Sequence, residues 1–127
     1  MKNCRITITT TIDGVSTEAV RQGQAELSLL SAKIDYLEAQ AKVRIALEDG
    51  KLQIYREGDY TQALYFQEGQ ILEGKLGIGG ADGVIFTKTN RLSYSLSDTS
   101  LLLSLHYDLL IGDEPQSVQI RLFVKFL

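Results

Sequence analysis

Apolar and polar residues alternate at the end of the chain, and this pattern narrows the folds that the chain can adopt. From Val118 to Phe126 every second residue is apolar, and three of the four residues between them are polar or charged; Phe123 is the exception. A period of two buries one face of a β-strand and leaves the other face in solvent. The sequence therefore predicts that the chain ends in a half-buried strand.

The same alternation recurs from the start of the chain onward. Residues 17–30 and 32–46 contain many residues that helices accept, but neither segment has an apolar stripe at helical spacing. We interpret both segments as strands. The other apolar faces are formed by Cys4, Ile6, Ile8 and Ile12; Ala41, Val43, Ile45 and Leu47; Leu52 and Ile54; Leu64 and Phe66; Leu92, Tyr94 and Leu96; and Leu101, Leu103, Leu105, Tyr107 and Leu109.

Residues that favour tight turns separate these segments. Asp13-Gly14 and Asp49-Gly50 are pairs that accept the positive φ of two-residue hairpins, and Pro115 lies in a loop. Roughly eight to ten short strands with short connections predict an all-β domain over residues 1–127. We expect a closed antiparallel up-and-down barrel, because pairing the first strand with the last removes two free edges. A β-sandwich is the alternative.

The composition disfavours several classes of protein. Apolar residues make up 44% of the 127 residues and charged residues 23%, as in folded domains. The net charge of −3 is spread along the chain, whereas nucleic-acid binding needs a basic stripe. No run approaches the ~20 apolar residues of a membrane span. The single cysteine, Cys4, and an N-terminus without an apolar leader predict a cytoplasmic protein.

Short motifs occur in a fixed order over nearly the whole chain. They are Tyr36-Leu37-Glu38; Val43 and Ile45; Leu52, Ile54, Arg56 and Gly58; Leu64, Phe66 and Gly69; Gly83, Ile85, Thr87 and Thr89; and Leu105, Tyr107 and Leu109 before Gly112-Asp113-Glu114. As an ordered set they resemble the YwiB-like bacterial proteins, a family of unknown function. The resemblance implies a calycin-like, that is lipocalin-like, barrel and no particular activity. Residues 74–82 depart from the family pattern, which has a Tyr-Thr segment before the glycine that matches Gly83.

The glycine-rich residues 74–83 do not predict a phosphate-binding loop. They lack the Gly-Lys-Ser/Thr ending and the strand–loop–helix setting of such loops. We interpret them as a flexible loop or a bulged strand that could act as a flap over the mouth of the barrel.

The one histidine does not predict a catalytic site either. His106 shares a strand face with Ser104 and Asp108, but α-carbons two residues apart on a strand are about 6–7 Å apart and their side chains stand side by side. The opposite face carries Tyr107 and its neighbouring leucines, so we expect His106 to point to solvent. The sequence predicts no catalytic residue, no metal site and no cofactor.

A polar set is predicted on the interior face near one end of the barrel. Alternation places Tyr36 and Glu38 on one inward face, and it places Arg56, Thr89 and Tyr107 on the inward faces of other strands. Because a buried charge is costly unless it is paired, one interpretation is a structural ion pair between Glu38 and Arg56. The other interpretation is that these five residues anchor the head group of a ligand.

Two functions remain open. The first is binding of a small amphipathic or apolar molecule, since a barrel of about eight strands is just wide enough to hold one small ligand. The second is a non-enzymatic scaffold that forms a homodimer or binds another protein through exposed Phe123, Leu102, Leu110 and Tyr55. An enzyme ranks third, because no nucleophile–base pair is evident.

Overall fold

The computed structural model describes residues 1–127 and consists of ten β-strands joined by short turns. Residues 17–30 and 32–46 lie in strands and their turns, as the missing apolar stripe predicted. No helix that is long and apolar enough to cross a membrane is present. The strands are β1 (Lys2–Ile12), β2 (Val15–Leu27), β3 (Ser31–Glu38), β4 (Ala41–Glu48), β5 (Lys51–Glu57), β6 (Tyr60–Gln67), β7 (Ile71–Ile78), β8 (Ala81–Leu96), β9 (Ser100–Ile111) and β10 (Glu114–Phe126).

These strands form one closed antiparallel barrel in which each strand pairs with its neighbours in the sequence. β1 completes the barrel by pairing with β2 on one side and with β10 on the other; Ile6, for example, lies opposite Arg21 and Val124. This topology confirms the predicted up-and-down barrel, and it excludes the sandwich. The count of ten is the upper end of the predicted range.

The apolar face of each strand points into the barrel, where 20 buried residues form one core. Phe66 of β6 and Tyr107 of β9 contact each other across the interior, with ring centroids 4.7 Å apart and planes inclined at 58°. Cys4 and Ile6 are completely buried on β1. The apolar residues of the period-two pattern thus line the inside of the barrel. Burial of their surfaces is the main contribution to the stability of the fold.

The glycine-rich stretch forms a regular hairpin in place of the predicted loop. It comprises the second half of β7, a turn at Gly79-Gly80 and the first residues of β8. Both turn glycines have positive φ, 59° and 84°, which suits a two-residue hairpin turn. Inside β7, a Cβ atom at Gly74 would clash with the carbonyl oxygen of Ala63 on β6. The glycines therefore serve the turn and the close approach of two strands, and the interpretation as a flexible loop or a bulged strand was wrong.

The end of β6 is covered by side chains of β8, because β6 pairs with β7 only over its first four residues. Thr87 Oγ1 donates a hydrogen bond of 2.6 Å to the carbonyl oxygen of Tyr65. The backbone N–H of Gln67 donates to Thr89 Oγ1 at 3.3 Å. The two buried threonines thus bond backbone groups that would otherwise lack a ladder partner.

A second incomplete pair lies between β2 and β3. β2 pairs with β1 from Val15 to Ala25, but it pairs with β3 only from Gly23 to Leu27. The β2 edge from residue 15 to residue 22 therefore has no strand beside it. This free edge borders the site described next.

Candidate ligand-binding cavity

A cavity of about 330 Å³ lies inside the barrel, near the β3–β4 and β5–β6 turns. Small-molecule sites typically have volumes of about 300–1,000 Å³, so this cavity falls at the lower end of that range. Fourteen of its 21 lining residues are hydrophobic. The aliphatic lining comprises Ile8, Val43, Ile45, Leu52, Ile54, Leu64, Leu103, Leu105, Ile120 and Leu122.

Arg56 lies at the rim of the cavity and is held by residues of the β5–β6 turn. Its Nη2 donates to Asp59 Oδ1 at 3.0 Å, and its Nη1 donates to the carbonyl oxygen of Tyr60 at 3.1 Å. The guanidinium also lies 3.8 Å from the centroid of the Tyr60 ring. This guanidinium holds the pKa of the Asp59 carboxyl below its usual value. Three local contacts therefore fix the direction of the Arg56 side chain.

Three tyrosines line the cavity, Tyr36, Tyr60 and Tyr107, and none of their hydroxyls forms a hydrogen bond with a protein group. Tyr107 is only 6% exposed, and burial raises its pKa to about 12. Burial also raises the pKa of Tyr36 to about 12; the nearby Glu38 carboxylate adds to this rise, and Arg21 opposes it. The phenols of Tyr36 and Tyr107 are therefore neutral donors near neutral pH, and each has a free hydrogen-bonding position facing the cavity.

The raised pKa of Tyr107 predicts a loss of stability in alkali. The folded protein keeps the phenol proton at pH values where the unfolded chain, with a pKa of about 10, has lost it. The contribution of the neutral Tyr107 phenol to the free energy of unfolding is therefore fully present below about pH 10 and is lost as the pH rises towards 12. We expect the free energy of unfolding, measured with urea, to fall over this window in the wild type and to fall less in Tyr107→Phe. Equal losses in both proteins would contradict the assignment.

The mouth of the cavity includes the free edge of β2. Three residues of this strand face inward: Thr17, Ala19 and Arg21. Glu18 also borders the cavity, although its side chain lies on the outward face of β2. The cavity therefore reaches the edge of the strand and does not end at its inner face. Arg21 Nη1 donates to the carbonyl oxygen of Val20 at 3.1 Å on this edge.

A model of the family described as "Domain of unknown function (DUF1934)" matches residues 4–122 of the chain. The chain belongs to this family. The crystal structure of the YwiB protein from Bacillus subtilis has the same fold, with a TM-score of 0.86 at 16% sequence identity over 99% of this chain and 92% of that one. No curated protein matches the sequence. The family match and the shared fold confirm the resemblance to YwiB-like proteins, and they carry no information about a ligand.

This member of the DUF1934 family brings four of the five predicted site residues to the cavity. Tyr36, Glu38, Arg56 and Tyr107 all border it. Thr89 does not, because it lies at the corner where β8 covers the end of β6. The ion pair between Glu38 and Arg56 is absent; Arg56 pairs with Asp59, and Glu38 is exposed.

His106 lies on the outer face of β9, as expected. Its Nε2 is 3.1 Å from Ser117 Oγ on β10. Ser104 and Asp108 form no hydrogen bond with the imidazole, so the three residues do not assemble into a catalytic triad.

Several polar residues at the cavity were not predicted from the sequence. Arg21 shares the inward period-two face of β2 with Ala19, so alternation alone would have been a sufficient signal for it. Tyr60 and Gln62 occupy the inward face of β6, and the alternation that includes Leu64 would have found them as well. No single-sequence signal indicates that β2 separates from β3 at Gln22.

Proposed function

We propose that the protein binds one small amphipathic molecule in the barrel cavity and performs no chemistry on it. The observation that carries this proposal is the combination of a mainly apolar cavity with the Tyr107 hydroxyl, which is accessible at the cavity and forms no hydrogen bond with a protein group. A ligand that displaces water from this hydroxyl removes one of its hydrogen bonds, so a ligand group that accepts this bond would be favoured over a purely aliphatic molecule.

The polar side of the cavity favours a head group that accepts hydrogen bonds. Arg21, Gln62 and the two phenols supply donors, and the carboxylates of Glu18 and Glu38 lie at the exposed rim. A carboxylate or carbonyl head near these donors, with a hydrocarbon tail among the leucines, matches this distribution. Binding without catalysis is supported by the position of His106 outside the barrel and by the lack of a nucleophile–base pair around the cavity. Buried Cys4, whose pKa is raised by burial, fits a thiol that stays reduced, in keeping with the proposed cytoplasmic location.

Filling the cavity tests this proposal. Ala19→Phe places a large side chain at the cavity mouth, whereas Val20→Phe changes the next residue, whose side chain is 53% exposed on the outer face. Fluorescence of anilinonaphthalene sulfonate, and its displacement by decanoate, measure binding. We expect Ala19→Phe to weaken binding at least about tenfold, because it occupies the ligand volume, and Val20→Phe to leave it within about twofold. Equal binding by all three proteins would disprove the cavity as the site.

Tyr107→Phe provides a second variant for the same titration. Since the hydroxyl has no protein partner, we expect the free energy of unfolding at neutral pH to change by about 0.5 kcal/mol or less. Decanoate binding should weaken by about fivefold, which corresponds to one hydrogen bond.

The predicted protein-contact patch does not form as one surface. Phe123 and Leu102 lie opposite each other on β10 and β9, with exposures of 42% and 54%. Leu110 lies at the far end of β9, and Tyr55 is on β5, which β6, β7 and β8 separate from β9. Two exposed side chains are a small surface by comparison with a stable interface. Homodimer formation through Phe123 and Leu102 therefore stays a prediction.

A further inference from the structure

The free edge of β2 presents backbone donors and acceptors at a regular spacing. The N–H of Ser28 donates to the carbonyl oxygen of Ser31 at 2.9 Å, so these residues form a hydrogen-bonded pair in the β2–β3 hairpin. In an antiparallel pair, every second residue directs both backbone groups to the same neighbour. On β2, every second residue therefore directs its N–H and C=O groups towards the β3 side. Two of these residues, Gln24 and Glu26, are hydrogen-bonded by β3. The other four have no strand opposite them: Ser16, Glu18, Val20 and Gln22.

All four of these unpaired residues are exposed, so a further strand can reach their backbone groups. The Arg21 side chain bonds the carbonyl oxygen of Val20, which shows that this carbonyl points away from β1. Exposed edges of this kind are templates for the addition of a strand.

The cavity lies directly behind this edge. Ala19, between Glu18 and Val20, faces inward and lines the cavity. A strand added beside β2 would direct alternate side chains the same way as Thr17 and Ala19, because residues opposite each other share a face. One of its side chains would then enter the aliphatic cavity.

We infer that the β2 edge and the cavity together bind an extended peptide, which adds one antiparallel strand to β2 and inserts one large apolar side chain into the cavity. The inference rests on the proposed function, since the same cavity takes the side chain. Alternating donors and acceptors along Glu18 and Val20 match an amide backbone, and main-chain bonds with a side-chain pocket are the two elements of strand addition.

A second copy of this chain fits the edge less well than a peptide does. Pairing of two β2 edges would present Thr17, Ala19 and Arg21 of each copy towards the cavity of the other. None of these side chains is large and apolar, so the aliphatic wall would stay uncovered. A peptide with a phenylalanine at the position opposite Ala19 covers that wall.

A defined peptide tests the inference. The probe is the acetylated, amidated seven-residue peptide Thr-Val-Thr-Phe-Thr-Val-Thr. An attached fluorophore reports its binding by fluorescence polarisation. In antiparallel pairing, the two outward threonines beside the phenylalanine form the backbone hydrogen bonds to β2. The N–H groups of the inward residues point away from β2. N-methylation of those two threonines therefore removes the bonds to β2. N-methylation of the phenylalanine and one valine is the matched control.

We expect the unmodified peptide to bind and to slow hydrogen exchange at the amides of Glu18 and Val20, as seen in amide NMR spectra. Methylated threonines should weaken binding by about tenfold or more, and the control methylation by less than about threefold.

On the protein side, Val20→Pro removes an edge N–H that β1 does not use, and Val20→Ala is its control. Val20→Pro should weaken peptide binding to a similar extent. If Val20→Pro does not fold, the methylated peptides still decide the question.

Four outcomes overturn the inference. If both methylated peptides bind alike, the backbone of the peptide does not pair with β2. If anilinonaphthalene sulfonate binds and the peptide does not, the inference fails while the proposed function stands; if neither binds, both fail. If the protein sediments as a dimer whose β2 amides are already protected, a second copy occupies the edge.

Discussion

Replacing Phe66 with alanine should lower the free energy of unfolding by about 4 kcal/mol, the larger of the two expected stability effects. Phe66 is 1% exposed and is among the largest fully buried side chains. Its ring packs against Tyr107, 4.7 Å between centroids, so truncation removes an aromatic contact as well as buried area. The strands around it are fixed by their ladders and cannot close over the space, so a void would be left in the core.

Urea denaturation monitored by circular dichroism measures this change. Phe123→Ala is the matched control, because Phe123 is 42% exposed on the outer wall of β10. We expect the control to change the free energy of unfolding by about 0.5 kcal/mol or less. Similar losses for the two variants would show that the inward and outward faces have been assigned incorrectly.

Replacing Gly74 with alanine should cost about 3 kcal/mol, although the change adds a single methyl group. The new Cβ would meet the carbonyl oxygen of Ala63, a backbone atom that can move only if the β6–β7 pair opens. The side chain of Ile85 lies on the other side, at 3.3 Å from the same position, so the methyl group has no free direction.

Gly83→Ala serves as the control for Gly74→Ala. Gly83 lies on β8 of the same hairpin, and the nearest atom to a Cβ there is the carbonyl oxygen of Leu76 at 3.9 Å, which is an ordinary contact. We therefore expect Gly83→Ala to be neutral or slightly stabilising, because alanine restricts the unfolded chain. Thermal unfolding of both variants compares the two positions directly, and a tolerated Gly74→Ala would mean that β6 and β7 do not approach this closely.

The barrel could be predicted from the sequence because each strand carries its own signal. The alternation from Val118 to Phe126 and the Asp-Gly turns are local patterns that tertiary contacts do not override here. Closure was predictable for a different reason, namely that the first and last strands would otherwise be free edges.

The candidate site was predictable only in part, because alternation gives the face of a residue and not its partner. Arg56 was placed inward correctly, but its bonds to Asp59 and Tyr60 depend on the local shape of the β5–β6 turn. Thr89 is also inward, yet the register shift between Thr89 and Arg91 and the gap between β6 and β7 make it a structural residue. The open edge of β2 depends on where two strands separate, which no local pattern reports.

The central claim is that an amphipathic molecule lies inside the barrel, and a crystal structure with ω-bromodecanoate tests it most directly. Anomalous scattering locates the bromine at the end of the tail. We predict one peak inside the barrel among the aliphatic lining residues, with the carboxylate accepting a hydrogen bond from Tyr107. A bromine peak on the outer wall, or crystals grown with excess ligand that show none, would contradict the claim.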